Sequence, residues 1–488
     1  MSYVIHGYKP EKMFRYFEDL AAIPHGSGNE SDVADWLVAF AHERGLEVVR
    51  DAWNNVLIRL PASAGREEEE PLLLQGHTDM VCEKNNDTVH DFTSDPLKLA
   101  VTDGWLHAVG TTLGGDDGIA VAAMMTVLDG GVTSNPPIEC LFTTEEETGL
   151  TGAGNFDYSL LRARRMINLD NEELDVLIAG CAGGIRSELS IPINTVPYAL
   201  PRIEIVLKGL CGGHSGACIH MGRANANKLM ARILNALYAA YPFRLVSMEG
   251  GSKDNAIPRE CRAVIATVTQ EETLAFLAAY EKTVAAELGE EDRHFHLTTA
   301  TSGAIATDRA MDTLATRRVL TVLTSAQDGV ISMSHDVPGL VEYSRNMGVV
   351  RTDFERARFV CVFSTRSAIE AQIDASVAQL DMLASLVGAK THHHSRYPGW
   401  SFAKESALRD TYCAQYRAVM GKDVQVTIIH AGLECGIIKN HLPDMDAISV
   451  GPDMQGIHSP DERMDLSSCE RFWEILRRII ENETGGTV

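Results

Sequence analysis

Apolar residues recur at three- and four-residue spacing in residues 11–22 and 30–44, close to the start of the chain. This spacing gathers apolar side chains on one helical face and predicts two amphipathic helices. Apolar runs without polar alternation come next, as expected of parallel strands buried on both faces. These runs are residues 55–60, 71–74, 138–142 and 165–169, and an Ala- and Met-rich stretch at 116–128 predicts a helix between the second and the third. The alternation indicates an α/β layer with a mostly parallel sheet.

The pattern changes after the pair Gly183 and Gly184. Strand-like runs at 203–208, 263–268 and 358–363 alternate there with long helical stretches at 224–241 and 369–387. Because the succession of strand, Gly-rich turn and helix occurs more than once between 185 and 397, we predict a second α+β domain that could be a duplicated unit. A turn signal at residues 397–400 precedes a return of the α/β pattern.

The chain has 488 residues and a mass of 53.3 kDa, which predicts two or three domains. Its 43 Lys and Arg against 67 Asp and Glu give a formal charge of −24, and such a surface repels phosphates, so we expect no nucleic-acid partner. No stretch approaches the roughly 18 to 20 apolar residues of a membrane span, and the first residues lack the pattern of a secretory signal. The ten cysteines include no C-x-x-C pair. We therefore expect a cytoplasmic protein with reduced thiols and no membrane partner.

Residues able to bind a metal ion follow several of the predicted strands. His77 and Asp79 come shortly after the apolar run 71–74, and functional side chains of open parallel sheets lie at such carboxyl ends. The other members of the set end a strand, begin the Ala-rich helix or occupy a polar turn: Asp116, Asp117, Glu145, Glu146, Glu147, Asp170 and His458. Taken one at a time, these residues have ordinary structural explanations, such as Asp116 acting as a helix N-cap.

The set as a whole points to metal binding. Burying carboxylates against apolar elements is costly, and like charges at one strand end raise one another's pKa unless a cation offsets them. Imidazole and carboxylate ligands without thiolates suit zinc, cobalt or manganese. Two metal ions about 3.5–4 Å apart need roughly one bridging carboxylate and two or three further ligands each. The residues available match that requirement.

These motifs resemble the signature of the di-zinc metallopeptidases that include carboxypeptidase G and peptidase T. The matching strings are His77-Thr78-Asp79, Gly114-Gly115-Asp116-Asp117-Gly118, Glu146-Glu147-Thr148-Gly149, Asp170 and His458. The resemblance extends over the whole chain, and the strings QGHTDMVCEK, FTTEEETGLTGA and GIHSPDER are similar to the aminoacyl-histidine dipeptidase (carnosinase) branch. It implies a catalytic domain made of residues 1–184 and 398–488, with residues 185–397 inserted as a lid.

Two Zn²⁺ ions per subunit, replaceable by Co²⁺ or Mn²⁺, follow from this resemblance. The implied terminal ligands are imidazoles and carboxylates, namely His77, Glu147, Asp170 and His458. Asp116 would bridge the two ions, and its peptide bond to Asp117 is expected to be cis.

Catalysis is implied to depend on Glu146 and Asp79. Glu146 would take a proton from a metal-bridging water and pass it to the leaving amine, while Asp79 would orient His77. Glu145 precedes the usual pair of glutamates, and aligning that pair to Gly149 leaves Glu145 as a spare.

Substrate binding is implied to involve the lid. The motif at residues 211–216 resembles the lid motif of the family, whose histidine, here His214, stabilises the oxyanion. Asn255 and Arg366 match positions that hold the free carboxylate of a dipeptide, and Gly432 would bring a backbone loop of the catalytic domain to the same place. A duplicated lid could supply His214 from the same chain, whereas a single lid would borrow it from the partner in a homodimer.

We therefore hypothesise a cytoplasmic metallo-dipeptidase that cleaves Xaa-His dipeptides, including β-alanyl-histidine. The alternative is a related di-zinc amidohydrolase that acts on N-acyl amino acids or tripeptides. A metal-stabilised binding protein is disfavoured by the presence of Glu146, and a serine hydrolase by the lack of a G-x-S-x-G motif where a nucleophile elbow is needed. The run His392-His393-His394, beside the domain junction, is interpreted as a hinge loop rather than a metal site.

Overall fold

The computed structural model describes residues 3–305 and 308–482, and these residues form two compact units. The first unit contains residues 3–181, 401–428 and 433–482, and the second contains residues 182–305, 308–400 and 429–432. The outer ends of the predicted catalytic domain, residues 1–2 and 483–488, lie outside the described residues. None of the described helices is both long and apolar enough to cross a membrane.

The helices and strands are numbered along the chain. Up to residue 181 they are α1 Glu11–Ala21, α2 Ser31–Glu43, β1 Glu47–Arg50, β2 Val56–Leu60, β3 Leu72–His77, β4 Leu99–Thr102, β5 Trp105–Ala108, α3 Gly115–Leu128, β6 Ile138–Thr143, α4 Thr151–Asn155, β7 Arg165–Asn168 and β8 Val176–Cys181. The middle part contains β9 Gly183–Pro192, β10 Thr195–Pro197, β11 Arg202–Lys208, β12 Gly213–His214, α5 Ala226–Ala240, β13 Arg244–Gly250, β14 Ala256–Ile257, β15 Cys261–Ala266, α6 Gln270–Ala285, β16 His296–Ser302, β17 Arg309–Met311, α7 Thr313–Ser325, β18 Gly329–Met333, β19 Val341–Asp353, β20 Arg358–Ser367, α8 Glu370–Val387 and β21 Lys390–Tyr397. The last part contains α9 Ala407–Met420, β22 Gln425–Ile429, α10 Glu434–His441, β23 Asp446–Ser449, β24 Met454–Gln455, β25 Arg463–Asp465 and α11 Leu466–Glu481.

An eight-stranded sheet lies at the centre of the first unit, in the order β1-β2-β6-β3-β7-β23-β8-β22. Strands β6, β3, β7 and β23 run parallel to one another, whereas β1, β2 and β8 are antiparallel to their neighbours. The predicted α/β layer with a mostly parallel sheet is thus confirmed, and the four apolar runs correspond to β2, β3, β6 and β7. A second sheet of this unit, with the antiparallel order β24-β25-β5-β4, carries no apolar run long enough to have been predicted.

Helix α3 is buried along all of its 14 residues, as expected of a helix that is apolar on every side. It packs against α1 and against β3, and glycines allow both approaches. A Cβ atom at Gly118 would lie 3.1 Å from the Phe17 ring, and one at Gly76 would lie 2.5 Å from Asp117 Oδ2 and 2.6 Å from Ala120 Cβ. The close contact at Gly76 brings the start of α3 to the end of the strand that carries His77.

The second unit contains one large antiparallel sheet, in the order β16-β11-β15-β13-β19-β20-β9-β21, with β18 paired to β19. Two β-α-β-β-α-β motifs form it. The first consists of β11, α5, β13, β15, α6 and β16, and the second consists of β9, α7, β19, β20, α8 and β21. Read from its own outer edge, each motif places its strands in the order four, one, three, two, and the two motifs meet where β13 pairs with β19. The predicted duplication is confirmed, with the first copy inserted between the first strand and the first helix of the second.

The interpretation of the His triplet as a hinge loop is wrong. His392, His393 and His394 lie in the edge strand β21 and pair with Glu188, Ser187 and Arg186 of β9. Because side chains of a strand alternate between its faces, the rings of His392 and His394 stack with centroids 5.2 Å apart, whereas His393 contacts Ser187 Oγ at 2.8 Å.

Candidate active site

The carboxyl ends of three neighbouring parallel strands bring the predicted ligands to one edge of the sheet. His77 is the last residue of β3 and is paired with Thr143, the last residue of β6. Gln75 is paired with Asn168, which ends β7 two positions before Asp170. The glutamates that follow β6 and the aspartate that follows β7 therefore reach the edge that carries His77.

Asp116 lies at the centre of this group, at the start of α3. Its Oδ1 lies 3.0 Å from His77 Nε2, and its Oδ2 lies 3.2 Å from His458 Nε2. The peptide bond between Asp116 and Asp117 is cis, as expected. Asp117 turns away from the group, and its Oδ2 accepts the backbone N–H of His77 at 3.2 Å. Each carboxylate oxygen of Asp116 thus faces a different histidine.

Two triads share Asp116, and each has ligand atoms within 4.8 Å of one another. His77, Asp116 and Asp170 form one, with His77 Nε2 to Asp170 Oδ1 at 3.7 Å. Asp116, Glu147 and His458 form the other, with His458 Nε2 to Glu147 Oε1 at 2.8 Å. Ligands about 2.0–2.1 Å from a tetrahedral metal ion are roughly 3.3 Å apart. These imidazoles and carboxylates therefore fit a pair of divalent metal ions in both chemistry and spacing.

The charges of this group are strongly coupled. Burial opposes the protonation of His77, but the nearby carboxylates of Asp116, Asp170 and Asp79 outweigh burial and raise the pKa of His77. Contacts with Asp116 and Glu147 raise the pKa of His458 to about 11, and burial raises the pKa of Asp170 to about 7. These three groups therefore bind protons strongly, and the protons balance the negative charge of the carboxylates that a divalent cation would otherwise balance.

Asp79 joins His77 to the pair Glu146 and Glu147. Its backbone oxygen lies 3.0 Å and its Oδ1 lies 3.4 Å from His77 Nδ1. Its carboxylate also accepts the N–H groups of Glu146 at 3.0 Å and Glu147 at 3.3 Å, together with the hydroxyl of Ser27 at 2.8 Å. Asp79 therefore holds the His77 ring through its backbone oxygen, and its carboxylate holds the turn that carries the two glutamates.

Glu146 belongs to the same edge, and Glu145 does not. His77, Glu146 and Glu147 offer ligand atoms within 4.8 Å of one another, whereas Glu145 takes part in none of the three metal-ligand groups among residues 3–305 and 308–482. Burial raises the pKa of the Glu146 carboxyl well above its usual range. Such a shift favours a carboxylate able to accept a proton near neutral pH.

The four residues predicted to bind substrate, His214, Asn255, Arg366 and Gly432, all lie in the second unit. Gly432 was expected on a loop of the catalytic domain, but residues 429–432 belong to the second unit. Arg366, in β20, is 9% exposed and donates from Nη1 to the Tyr397 hydroxyl at 2.9 Å. Its Nε is buried without a hydrogen-bond partner, and within the described part of the chain it forms no ion pair. Loss of hydration and the charge of Arg366 lower the pKa of His214. A buried guanidinium without an acidic partner offers a site for an anion.

Asn255 and Gly432 adjoin the same part of this unit. The backbone oxygen of Asn255 accepts the N–H of Ser215 at 2.8 Å, and His214 pairs with Ala256, so Asn255 lies beside the loop of His214. A Cβ atom at Gly432 would lie 2.8 Å from the ring of Tyr397, the tyrosine that contacts Arg366.

Sequence reasoning did not single out two buried titratable groups, one in each unit. His430 contacts Ser344 Oγ through Nε2 at 2.7 Å, and burial together with the charges of Arg366 and His214 lowers the pKa of His430 to about 3. Glu434 is fully buried, its Oε2 accepts the Thr143 hydroxyl at 2.6 Å, and burial raises its pKa to about 7. Both residues flank Gly432 in sequence, but neither belongs to a spacing motif that would have revealed its contacts.

Comparison with known proteins decides the family. The profile of Peptidase family M20/M25/M40 matches residues 73–482, a stretch that contains every predicted metal ligand. The chain belongs to the M20 family. Its fold, with an inserted second sheet domain, and its class, metallopeptidase, are those predicted from the sequence.

Two relatives are similar over nearly the whole M20 chain. It is 38% identical over 477 residues to the cytosol non-specific dipeptidase of Escherichia coli (strain K12), covering 97% of each protein. It is 35% identical to the aminoacylhistidine dipeptidase of Vibrio alginolyticus, whose crystal structure superposes with a TM-score of 0.90 over 98% of each chain. Aminopeptidase PepT of Bacillus cereus ATCC 10987 shares the fold, with 15% identity and a TM-score of 0.55 over 97% of this chain and 98% of its own. The predicted relationship to aminoacyl-histidine dipeptidases is confirmed.

Proposed function

We propose that this M20 peptidase is a cytoplasmic metallo-dipeptidase that hydrolyses Xaa-His dipeptides, including β-alanyl-histidine. The convergence of His77 and His458 on the two oxygens of Asp116 carries the proposal. The names of the two relatives that match almost the whole chain, a cytosol non-specific dipeptidase and an aminoacylhistidine dipeptidase, support the substrate class and the compartment.

Two divalent ions, with Zn²⁺ as the proposed occupant, would be held by the two triads that share Asp116. His77 and Asp170 would complete one position, and Glu147 and His458 would complete the other. When bound, the ions would polarise the scissile carbonyl and make water more acidic. Asp79 would keep the His77 ring in the orientation that presents Nε2, because it contacts the opposite nitrogen.

Glu146 would act as the general base. It would accept a proton from the attacking water and pass that proton to the leaving amine. This role needs a carboxylate that lies close to the metal ligands but does not itself bind a metal ion. Two features support this role: Glu146 lies within the ligand cluster, and its backbone is held by Asp79.

Arg366 would bind the free carboxylate of the dipeptide. Its buried guanidinium has no acidic partner within the described residues, and its planar fork suits a bidentate contact with a carboxylate. Asn255 and the backbone of Gly432 would complete this subsite, and His214 would donate a hydrogen bond to the developing oxyanion. This contact would favour substrates that carry a free C-terminal carboxylate.

Hydrolysis of β-alanyl-histidine tests the proposal, measured with chelator, after zinc is restored, and in two variants. Chelator should abolish cleavage and zinc should restore it. Glu146→Gln should lower kcat by roughly 10²–10⁴-fold. Glu145→Gln is the matched control, since the neighbouring carboxylate lies outside the ligand cluster, and it should keep activity close to that of the wild type.

Two results would contradict the proposal. An equal loss of activity in Glu145→Gln and Glu146→Gln would contradict the assignment of Glu146 as the general base. Intact Xaa-His peptides together with rapid cleavage of N-acetyl-histidine or tripeptides would instead favour the di-zinc amidohydrolase.

A further inference from the structure

We infer that Glu462 is a positioning residue of the metal centre, which fixes the loop that carries Asp116 to the turn that carries His458. This inference rests on the proposed function, because it concerns the geometry of the proposed metal ligands. Glu462 belongs to neither triad, and its carboxylate joins the segment that precedes Asp116 to the segment that carries His458.

The carboxylate of Glu462 accepts three consecutive backbone N–H groups. Its Oε2 accepts Leu113 N–H at 2.8 Å and Gly114 N–H at 3.3 Å, and its Oε1 accepts Gly115 N–H at 2.8 Å. Glu462 is only 3% exposed. Buried backbone donors need an acceptor, so these three groups hold the loop in one position relative to Glu462.

Asp116 follows directly after this loop. A Cβ atom at Gly115 would lie 3.0 Å from Met454 Sδ and 3.4 Å from Glu462 Oε1, so the loop lies tightly against β24 and against the end of the turn that carries His458. The position of the Asp116 carboxylate is therefore set by contacts made just before it in the chain.

The other end of the link is equally constrained. His458 lies in the turn between β24 and β25, where Met454 pairs with Met464. Glu462 closes this turn, since its own N–H donates to Ser459 O at 3.0 Å. The 3.2 Å separation between Asp116 and His458 thus depends on a continuous set of contacts through Glu462.

Glu139 supplies a matched control. It is 2% exposed and accepts the backbone N–H groups of Arg162 and Ala163, both at 2.9 Å. It lies near the start of β6, at the end of the strand away from Thr143 and the metal ligands. A buried carboxylate that binds backbone N–H groups is thus available in the same unit but far along the strand from the site.

The test is zinc affinity, measured on metal-free protein by competition with a fluorescent chelator, for the wild type, Glu462→Gln and Glu139→Gln. Replacing Glu462 should weaken zinc binding by roughly 10–100-fold, the range found for groups that orient metal ligands. It should also lower kcat for β-alanyl-histidine while KM changes less than about 2-fold. Glu139→Gln should bind zinc like the wild type, even if its thermal unfolding midpoint falls as much as that of Glu462→Gln.

Each outcome decides a separate point. A wild type that binds no zinc overturns the proposed metal centre and, with it, the role of Glu462. A wild type that binds two ions, beside a folded Glu462→Gln variant of equal affinity, overturns the inference alone. If Glu462→Gln does not fold, Glu462→Asp replaces it: the charge is kept, but the carboxylate no longer reaches all three N–H groups. Unchanged zinc affinity in Glu462→Asp would likewise overturn the inference.

Discussion

The imidazole Nε2 of His458 lies 3.2 Å from Asp116 Oδ2, although 342 positions separate the two residues in the chain. The other oxygen of Asp116 faces His77 at 3.0 Å. Asp116 is therefore the only side chain that the two triads have in common within the described residues.

Replacing Asp116 should remove both metal ions, whereas replacing a terminal ligand should weaken one position more than the other. We expect Asp116→Ala to retain fewer than about one ion per chain, and Asp170→Ala and Glu147→Ala to retain about one each at the same free zinc concentration. Elemental analysis after equilibrium dialysis measures the stoichiometry. Equal ion contents in the three variants would refute the bridging role of Asp116.

Arg366→Lys should raise KM for dipeptides by roughly 10–100-fold, because an ammonium group cannot make the paired contacts of a guanidinium with a carboxylate. The comparison substrate is the same dipeptide with an amidated C-terminus, whose cleavage should change little. Arg358→Lys is the control: Arg358 lies in the same strand but already pairs with Glu188 and Asp353. An equal effect on the amide and the free acid would show that Arg366 does not bind the carboxylate.

The predictable part of the site consists of residues that local sequence presents together. His77 ends a buried strand, Asp79 follows it, and Glu146 and Glu147 follow another strand. Strand ends and residue types drew attention to these positions, and the family resemblance separated Glu146 and Glu147 from Glu145. Glu462 and His430 act through contacts with distant segments, and a single sequence carries no signal for such contacts.

The same distinction holds for the fold. Three of the four parallel strands, β3, β6 and β7, are continuous apolar runs and were predicted, whereas the edge strand β21 has a polar sequence, so its histidines looked like a loop. The duplication in the second unit was detectable as a repeated pattern. Its interrupted order, with one copy inserted in the other, becomes visible only from the strand pairing.

Gly76→Ala should destabilise the protein by about 1–3 kcal/mol and weaken zinc binding, because the added Cβ would overlap Asp117 Oδ2 and Ala120 Cβ and push the start of α3 away from β3. Thermal unfolding and zinc competition measure the two effects. Gly154→Ala is the control, since Gly154 lies in α4 with no atom within 4 Å of the added Cβ, and it should be neutral or slightly stabilising. Full zinc affinity in Gly76→Ala would show that this contact does not position Asp116.

Asp328→Asn should become more stable relative to the wild type as the pH rises from 5 to 8. Burial raises the pKa of Asp328 to about 6, from an unfolded value near 3.8, while its Oδ1 accepts Met347 N–H at 2.7 Å and the Asn225 amide at 3.0 Å. The folded state therefore binds more protons than the unfolded state in this range, and this contribution to stability is lost as the pH rises through 6.

The expected change in the stability difference between Asp328→Asn and the wild type is about 1.4 kcal/mol between pH 5 and pH 8, measured by unfolding both proteins at each pH. The amide oxygen of the variant can still accept the two hydrogen bonds, so the effect isolates the buried charge. Asp353→Asn is the control. The N–H of Arg356 and the Arg358 guanidinium lower the pKa of Asp353, so its carboxyl stays ionised in the folded and unfolded states above pH 5. The stability difference between Asp353→Asn and the wild type should therefore not vary with pH. If the stability difference between Asp328→Asn and the wild type also stays constant from pH 5 to pH 8, the Asp328 carboxyl keeps an ordinary pKa in the folded protein.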